Sequence, residues 1–577
     1  MVIRDSFEKF KGLRDKIYSE LPKSTHEIAK IESYKTPMRD GVLLNSNVYF
    51  PNGESPYPVI LMRNPYPYTF EMLEATASIF VEHGYILVIQ DCRGTGESEG
   101  KWEPFFNERN DGIDTLEWII KQEWQDGNIG MFGMSYGSFV QWIIADSLPK
   151  EVKTLIFDAF GTERYDQMYM NGMFRHDIYT GWAFMNSGIK TSISPDELYR
   201  KAIHIKPHID ADKELLGSEI PFYREYISIV DRSSEYWKKG VWATLKEIPE
   251  KINIPVLVTD GWFDHHLDGS VKGYLNLRDE IKKQSRLVLG PWDHIHSSPG
   301  ELDYSNANIL GTFNIKAGLE WFDHFLKGKE YVKKLGTIDT YVVGKGEWIE
   351  HETWPPKVKL EVMYLEKSEQ LYKGGIITKV KPEKEENVQY VYDPNEYIKT
   401  NGGSALLEWL SPKNYGIKHG ARLQGEPGER EDVLTFISEV LEEGQELVGN
   451  IKISLNVSTD AKDTAFAVKV MEVFPDGRAF NICDGISSLI YRNNSDHPLE
   501  YTPNEIVKIE IETWPLNWCI NKSSKLRIDI SSSNFPAYNN HLNNWGLWSK
   551  QKDAIIANQT IYTGSIYSSY IVLPIMK

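Results

Sequence analysis

Apolar and polar positions change their period twice along this chain, and the changes divide it into three kinds of structure. Residues up to about Leu21 carry a helical stripe of Phe7, Phe10, Leu13 and Ile17, which Pro22 closes. From 31 to 49 the pattern alternates around Arg39-Asp40-Gly41, which predicts a hairpin. Three short apolar runs follow at 59–62, 85–89 and 129–132, with helical patterns between them at 71–83 and 111–124. Uniformly apolar runs that alternate with helices mark parallel strands covered on both faces. A further run at 152–157 continues the series, so the first part of the chain reads as α/β.

Between about 161 and 250 the pattern is helical, with no clear strand and with many large side chains (Met168, Met170, Met173, Trp182, Met185). It predicts a helical insertion, either packing its own small core or lying as a lid over a site. Runs at 255–259 and 287–289 and a helix at about 319–326 restore the α/β signal. Beyond Thr337 helices become scarce. Short strands at 451–457, 465–470, 507–511 and 526–530, with turns such as Pro475-Asp476-Gly477, read as a β-sandwich or jelly roll. The expected units are 1–160 with 251–354, a cap at 161–250, and a C-terminal unit at 355–577.

Composition narrows the function classes. A chain of 577 residues is too long for one core. Lys+Arg of 64 against Asp+Glu of 82 gives −18, which argues against nucleic acid or an anionic membrane as partner. Cys92, Cys483 and Cys519 are odd in number and far apart, so free thiols in a reducing compartment are expected. The first 18 residues are charged and lack the apolar centre of a signal peptide, and no apolar run is long enough to span a bilayer. The expectation is a cytoplasmic protein with a small-molecule partner; a homodimer is left open.

The candidate chemistry centres on Gly133-Met134-Ser135-Tyr136-Gly137, a G-x-S-x-G pentapeptide between the 129–132 strand and a helical segment at 138–147. On such a strand-to-helix turn the serine hydroxyl is pushed out of the sheet, and a helix N-terminus lies behind it. A serine nucleophile needs an acid and a base, which on this fold follow it in the order Asp, His, after the carboxyl ends of later strands. Asp264 and His294 meet that demand; His265, His296 and Asp293 are competitors. Zinc on Asp264, His265, His266, His294 and His296 is the rival reading. It has no i, i+4 histidine pair on a helix and leaves Ser135 unexplained, so no metal and no cofactor are expected. Gly94-Thr95-Gly96 is followed by Gly100 one residue too late for a dinucleotide fingerprint, and reads as a structural turn.

With Arg63-Asn64-Pro65-Tyr66, Asp91-Cys92-Arg93-Gly94, 126–133, Ser135-Tyr136, Gly261-Trp262-Phe263-Asp264, Gly290-Pro291-Trp292 and His294, together with 474–478 and 531–536, the chain resembles the cocaine-esterase-like acyl esterases. These are relatives of the X-prolyl dipeptidyl peptidases and the α-amino-acid ester hydrolases. The resemblance implies an α/β-hydrolase domain, a helical cap and a C-terminal jelly roll. It implies the triad Ser135, Asp264, His294, and an oxyanion hole from the Tyr66 hydroxyl and the Tyr136 amide. The sequence departs from the α-amino-acid ester hydrolases where acids beyond the triad aspartate hold a substrate ammonium: here those positions are His266 and Leu267. Glu163 or Asp166 of the cap is a possible substitute. Trp182 and His266 are the expected substrate contacts. The reading is a serine esterase, with an X-prolyl peptidase as the alternative and a carbohydrate-binding protein on a dead hydrolase scaffold as the remote one.

Overall fold

The computed structural model describes residues 2–307, 312–369, 372–404 and 418–577. The N-terminal stripe forms two helices rather than one, α1 (Val2–Lys9) and α2 (Lys11–Tyr18), which break at Phe10. Next come β1 (Ile28–Pro37), β2 (Leu43–Pro51), β3 (Tyr57–Asn64), α3 (Phe70–Glu82), β4 (Ile86–Asp91), α4 (Glu108–Ile120), β5 (Gln125–Met134), α5 (Tyr136–Trp142) and β6 (Val152–Asp158). Two boundaries differ from the sequence reading. The 111–124 pattern belongs to a helix that starts and stops earlier, because Gln125 already enters β5. The helix after Ser135 begins at once, at Tyr136, and ends at Trp142.

The segment after β6, expected to be a cap, opens with α6 (Arg164–Met168), a short hairpin of β7 (Tyr169–Met170) and β8 (Met173–Phe174), and α7 (His176–Met185), followed by further short helices to Glu247. The hairpin is a strand feature that the helical spacing did not reveal. The chain then re-enters the sheet as β9 (Val256–Gly261), β10 (Arg286–Gly290), β11 (Thr337–Val342) and β12 (Glu347–His351), with a long helix, Thr312–Lys327, before β11.

These ten strands form one sheet in the order β1-β2-β4-β3-β5-β6-β9-β10-β11-β12. The inner run from β4 to β11 is parallel. Period-2 alternation explains its two cores. Val59 and Leu61 of β3 and Ile86 and Val88 of β4 face Leu116, Phe139 and Val140, whereas Ile60, Met62, Leu87 and Ile89 face Phe80, Leu319 and Phe322. Both faces are covered by helices, so the runs are apolar throughout, as the sequence pattern demands.

The remaining described strands, from Val358–Lys367 to Tyr570–Met576, make a second, 13-stranded β-rich unit. It is joined closely to the rest. Asn539 and Ala537 exchange backbone and side-chain hydrogen bonds with Phe174 and His176 of the cap, and the Trp548 ring stacks on Phe174 and His208. Among the described residues no helix is long and apolar enough to cross a membrane.

Candidate active site

β5 ends at Met134, and the chain turns into α5 through a single residue, Ser135, at φ 57°, ψ −123°. A non-glycine residue held there is strained, and surrounding structure must hold it. The Ser135 N–H donates to the Asp158 carbonyl at 2.8 Å, and its carbonyl accepts from the amides of Ser138 and Phe139. Crossing of strand and helix is so close that a Cβ on Gly133 would stand 2.7 Å from the Gly137 carbonyl oxygen. Only a residue without a side chain fits there.

Asp264 and His294 follow β9 and β10, neighbours in the sheet, so two residues 30 apart in sequence meet. Asp264 Oδ2 accepts from His294 Nδ1 at 2.8 Å, and Oδ1 accepts the His266 amide at 2.8 Å. Both side chains are buried. Burial opposes the charge on Asp264, but His294 and His265 hold its carboxyl well below the usual range. Burial likewise depresses His294, and Asp264 more than reverses it, so the imidazole titrates above the ordinary 6.5. Asp260, at the end of β9, is pushed well above the carboxylate range by burial and by the Asp264 charge next to it.

The competing residues are placed elsewhere or differently. His296 Nε2 meets Asp158 Oδ1 at 2.8 Å, behind the elbow. Asp293 accepts from Ser297 and meets His419 of the C-terminal unit at 2.8 Å. His265 does border the site, 3.2 Å from Asp264 Oδ1, but burial lowers it to about 3, so it stays neutral. His265, His266 and His294 offer ring nitrogens within 4.8 Å of one another, a spacing that a metal ion would tolerate. His294 Nδ1 is already committed to Asp264, the arrangement of a general base. The loop at Gly94 and Gly96 wraps the Asp91 carboxylate, which accepts the Glu97 amide; it is a structural turn, as its glycine spacing implied.

Ser135, His294, His265, His266, Tyr66, Tyr136 and Trp182 all border one cavity of about 350 Å³ between the sheet and the cap. A larger cleft of about 490 Å³ lies in the C-terminal unit and contains none of them. Tyr66 enters the cavity just after β3. The Trp182 indole N–H donates to its hydroxyl oxygen at 2.8 Å, and its ring stacks on Tyr68. An indole can only donate, so the Tyr66 O–H keeps its own proton to give. Burial, with Tyr68 beside it, raises the Tyr66 hydroxyl well above 10 and keeps it protonated; the Trp182 bond works in the opposite sense. Tyr136 begins α5, so its amide has no acceptor within the helix. Its hydroxyl is tied down behind the site, accepting the Phe105 amide at 2.8 Å and donating to Glu108 at 2.9 Å. Glu108 in turn pairs with Arg63 at 2.9 Å, with both side chains essentially inaccessible. This buried Arg63–Glu108–Tyr136 network went unread in the sequence, because nothing in the spacing of 63, 108 and 136 announces it.

Trp182, an expected substrate contact, lines the cavity while its indole N–H is given to Tyr66. One expectation is corrected. The cap acids are not free to hold a substrate ammonium: Glu163 pairs with Lys246, and Asp166 with Arg232 and Lys272, and neither borders the cavity. Arg164, the residue between them, does border it.

Comparison with known proteins places the chain in a family. Residues 40–296 match the model of the X-Pro dipeptidyl-peptidase (S15) family, and 330–572 match its C-terminal non-catalytic domain. Among solved structures, an aminopeptidase from a marine sediment Thaumarchaeota archaeon superposes with a TM-score of 0.81 at 20% identity, covering 96% of this chain and 98% of that one. An α-amino acid ester hydrolase does so with a TM-score of 0.78 at 22% identity, covering 95% and 96%. At such identities these two speak for the fold. Cocaine esterase of Rhodococcus sp. (strain MB1 Bresler) is 30% identical over 574 residues, 94% of this chain and 97% of that protein. With that identity along nearly its whole length and both domain models matched in order, the chain belongs to the cocaine-esterase-like family of serine hydrolases.

Proposed function

We propose that this protein hydrolyses carboxylic esters through an acyl-enzyme formed on Ser135. One observation carries the reading: a strained serine at a helix N-terminus shares an apolar cavity with a histidine whose Nδ1 is fixed by a buried carboxylate. His294 Nε2 takes the Ser135 proton as the hydroxyl attacks the ester carbonyl, and Asp264 holds the tautomer and stabilises the imidazolium. The oxyanion is met by the Tyr66 O–H and the Tyr136 N–H. His294 then protonates the leaving alkoxide, and water deacylates Ser135 by the same route. The name of the Rhodococcus relative supports an ester as substrate.

An amide substrate of the X-prolyl type is disfavoured on chemical grounds. Recognition of a free N-terminal ammonium in a buried site requires carboxylates to offset its desolvation. Among the described residues no Asp or Glu borders the cavity. The test compares kcat/KM for short-chain p-nitrophenyl esters with that for Gly-Pro- and Ala-Pro-p-nitroanilide, alongside fluorophosphonate labelling of wild type and Ser135→Ala. Faster ester cleavage and labelling lost in Ser135→Ala are expected; faster anilide cleavage would make the enzyme a peptidase.

On the same reading the units are 1–160 with 251–354, a cap at 161–250 and a jelly roll at 355–577. Antiparallel pairing through most of the second sheet supports the last. Three unpaired cysteines, two of them buried, support a reducing, cytoplasmic location.

A further inference from the structure

Arg164 is the first residue of α6, and its side chain lies at the cap side of the cavity, 4% exposed. Its guanidinium carbon stands 4.8–5.8 Å from the ring centres of Tyr179, Phe105, Trp242, Tyr226 and Phe160. Among the described residues it forms no ion pair. Its polar contacts are to neutral groups: Nη1 reaches Gln167 Oε1 and the Tyr179 hydroxyl, each at 3.4 Å, the Tyr226 hydroxyl also interacts with the guanidinium, and Nε has no partner. The other arginine bordering the cavity, Arg63, is neutralised by Glu108.

A guanidinium stays charged under all ordinary conditions, and burying one without a carboxylate is costly. Aromatic faces offset part of that cost through cation–π attraction, but they give the N–H donors no charged partner. The cavity is thus apolar and cationic, the reverse of what an ammonium-binding relative requires. From this we infer that Arg164 receives a carboxylate of the substrate, so that the preferred ester is anionic. A planar guanidinium fork matches a carboxylate bidentately, and a dry, aromatic-walled site strengthens the pair. The inference rests on the esterase reading above and narrows it to a class: esters carrying a free carboxylate on either the acyl or the alcohol side.

Paired substrates test it. For the acyl side, kcat/KM is measured for monoethyl glutarate against ethyl hexanoate; for the alcohol side, for 4-carboxyphenyl butyrate against phenyl butyrate. Wild type should prefer the anionic member of one pair, and that pair names the side on which the carboxylate sits. Arg164→Gln should lower the anionic-to-neutral ratio by about 10- to 100-fold, the range for a lost hydrogen bond to a charged group. Arg164→Lys, which keeps the charge and loses the fork, should fall between. Because Arg164→Gln removes a packed side chain and can fail to fold, inhibition of wild type is read as well: hexanoate should compete more strongly than hexanamide. A wild type that prefers the neutral member of both pairs, or equal losses on both members in Arg164→Gln, would assign Arg164 to cap packing and overturn the inference. In either case hydrolysis of the neutral esters and fluorophosphonate labelling of Ser135 would leave the esterase reading standing. If neither class is hydrolysed and Ser135 is not labelled, both fall together.

Discussion

Two side chains, Trp182 and Asp264, decide how Tyr66 and His294 behave. Trp182 fills the acceptor lone pair of Tyr66 and so aims its proton at the cavity; Asp264 does the same for His294 by occupying Nδ1. Tyr66→Phe should lower kcat by roughly 10²–10³-fold with little change in KM, because the lost donor acts on the oxyanion. Trp182→Phe leaves the hydroxyl in place but frees it to turn, and about a fivefold to tenfold loss of kcat is expected. An effect of Tyr66→Phe confined to KM would assign the hydroxyl to ground-state binding. The pH profile tests the second pair. His294 titrates above 6.5 in the folded protein and acts as a base only when neutral, so kcat/KM on a neutral ester should fall as pH drops through a midpoint above 6.5. Asp264→Asn removes the charge that favours the imidazolium while burial remains. Its midpoint should therefore move to lower pH, and kcat should drop by about 10⁴-fold. A midpoint unchanged in Asp264→Asn would mean that another acid faces His294.

At the scale of elements the elbow is a packing problem between β5 and α5, and its two glycines are not equivalent. A methyl on Gly133 would stand 2.7 Å from the Gly137 carbonyl oxygen, whereas a methyl on Gly137 would meet nothing nearer than the Arg63 carbonyl at 3.7 Å. Gly133→Ala should therefore cost about 1–3 kcal/mol and displace Ser135, with loss of activity. Gly137→Ala replaces a glycine within a helix and should be neutral or stabilise by up to about 1 kcal/mol. Thermal unfolding of the two variants checks this; equal losses would refute the steric account. The strand before the elbow was legible because burial on both faces leaves an apolar run that no other local structure explains. The start of α5 was not, since Tyr136 and Gly137 are poor helix formers that tertiary packing forces into the first turn. Asp264 and His294 were readable from their positions just after strands. Arg164 was not, because the rings around it come from residues 105, 160, 179, 226 and 242, and contacts so scattered leave no periodic trace.

At the scale of the whole molecule, the C-terminal β unit holds the loop that carries the catalytic histidine proposed here. His419 meets the Asp293 carboxylate at 2.8 Å, one residue before His294, with both side chains buried. The Leu423 amide donates to Glu301, and Gly300 pairs with Ala421, so the segment from 419 to 423 lies along the loop that leaves β10. A second contact joins the sheets directly: Val343, just after β11, pairs with Trp518, and Asn517 donates to Thr340 at 3.0 Å. The 161–250 segment is held as well, through Asn539 and Phe174. Truncation after residue 354 would expose all three surfaces and leave Asp293 without its imidazole. Fragment 1–354 should accordingly be insoluble, or soluble without esterase activity, rather than a working enzyme that lacks a targeting module. A smaller change separates the two roles of the interface. His419→Ala keeps the domain but removes a hydrogen-bond partner from a buried carboxylate, which typically costs about 1–3 kcal/mol. Its kcat should fall while KM changes little, because the damage reaches the base and not the binding wall. Both proteins are assayed on one neutral ester and their melting followed by circular dichroism. A soluble fragment 1–354 with wild-type kcat would show that the hydrolase sheet positions His294 unaided.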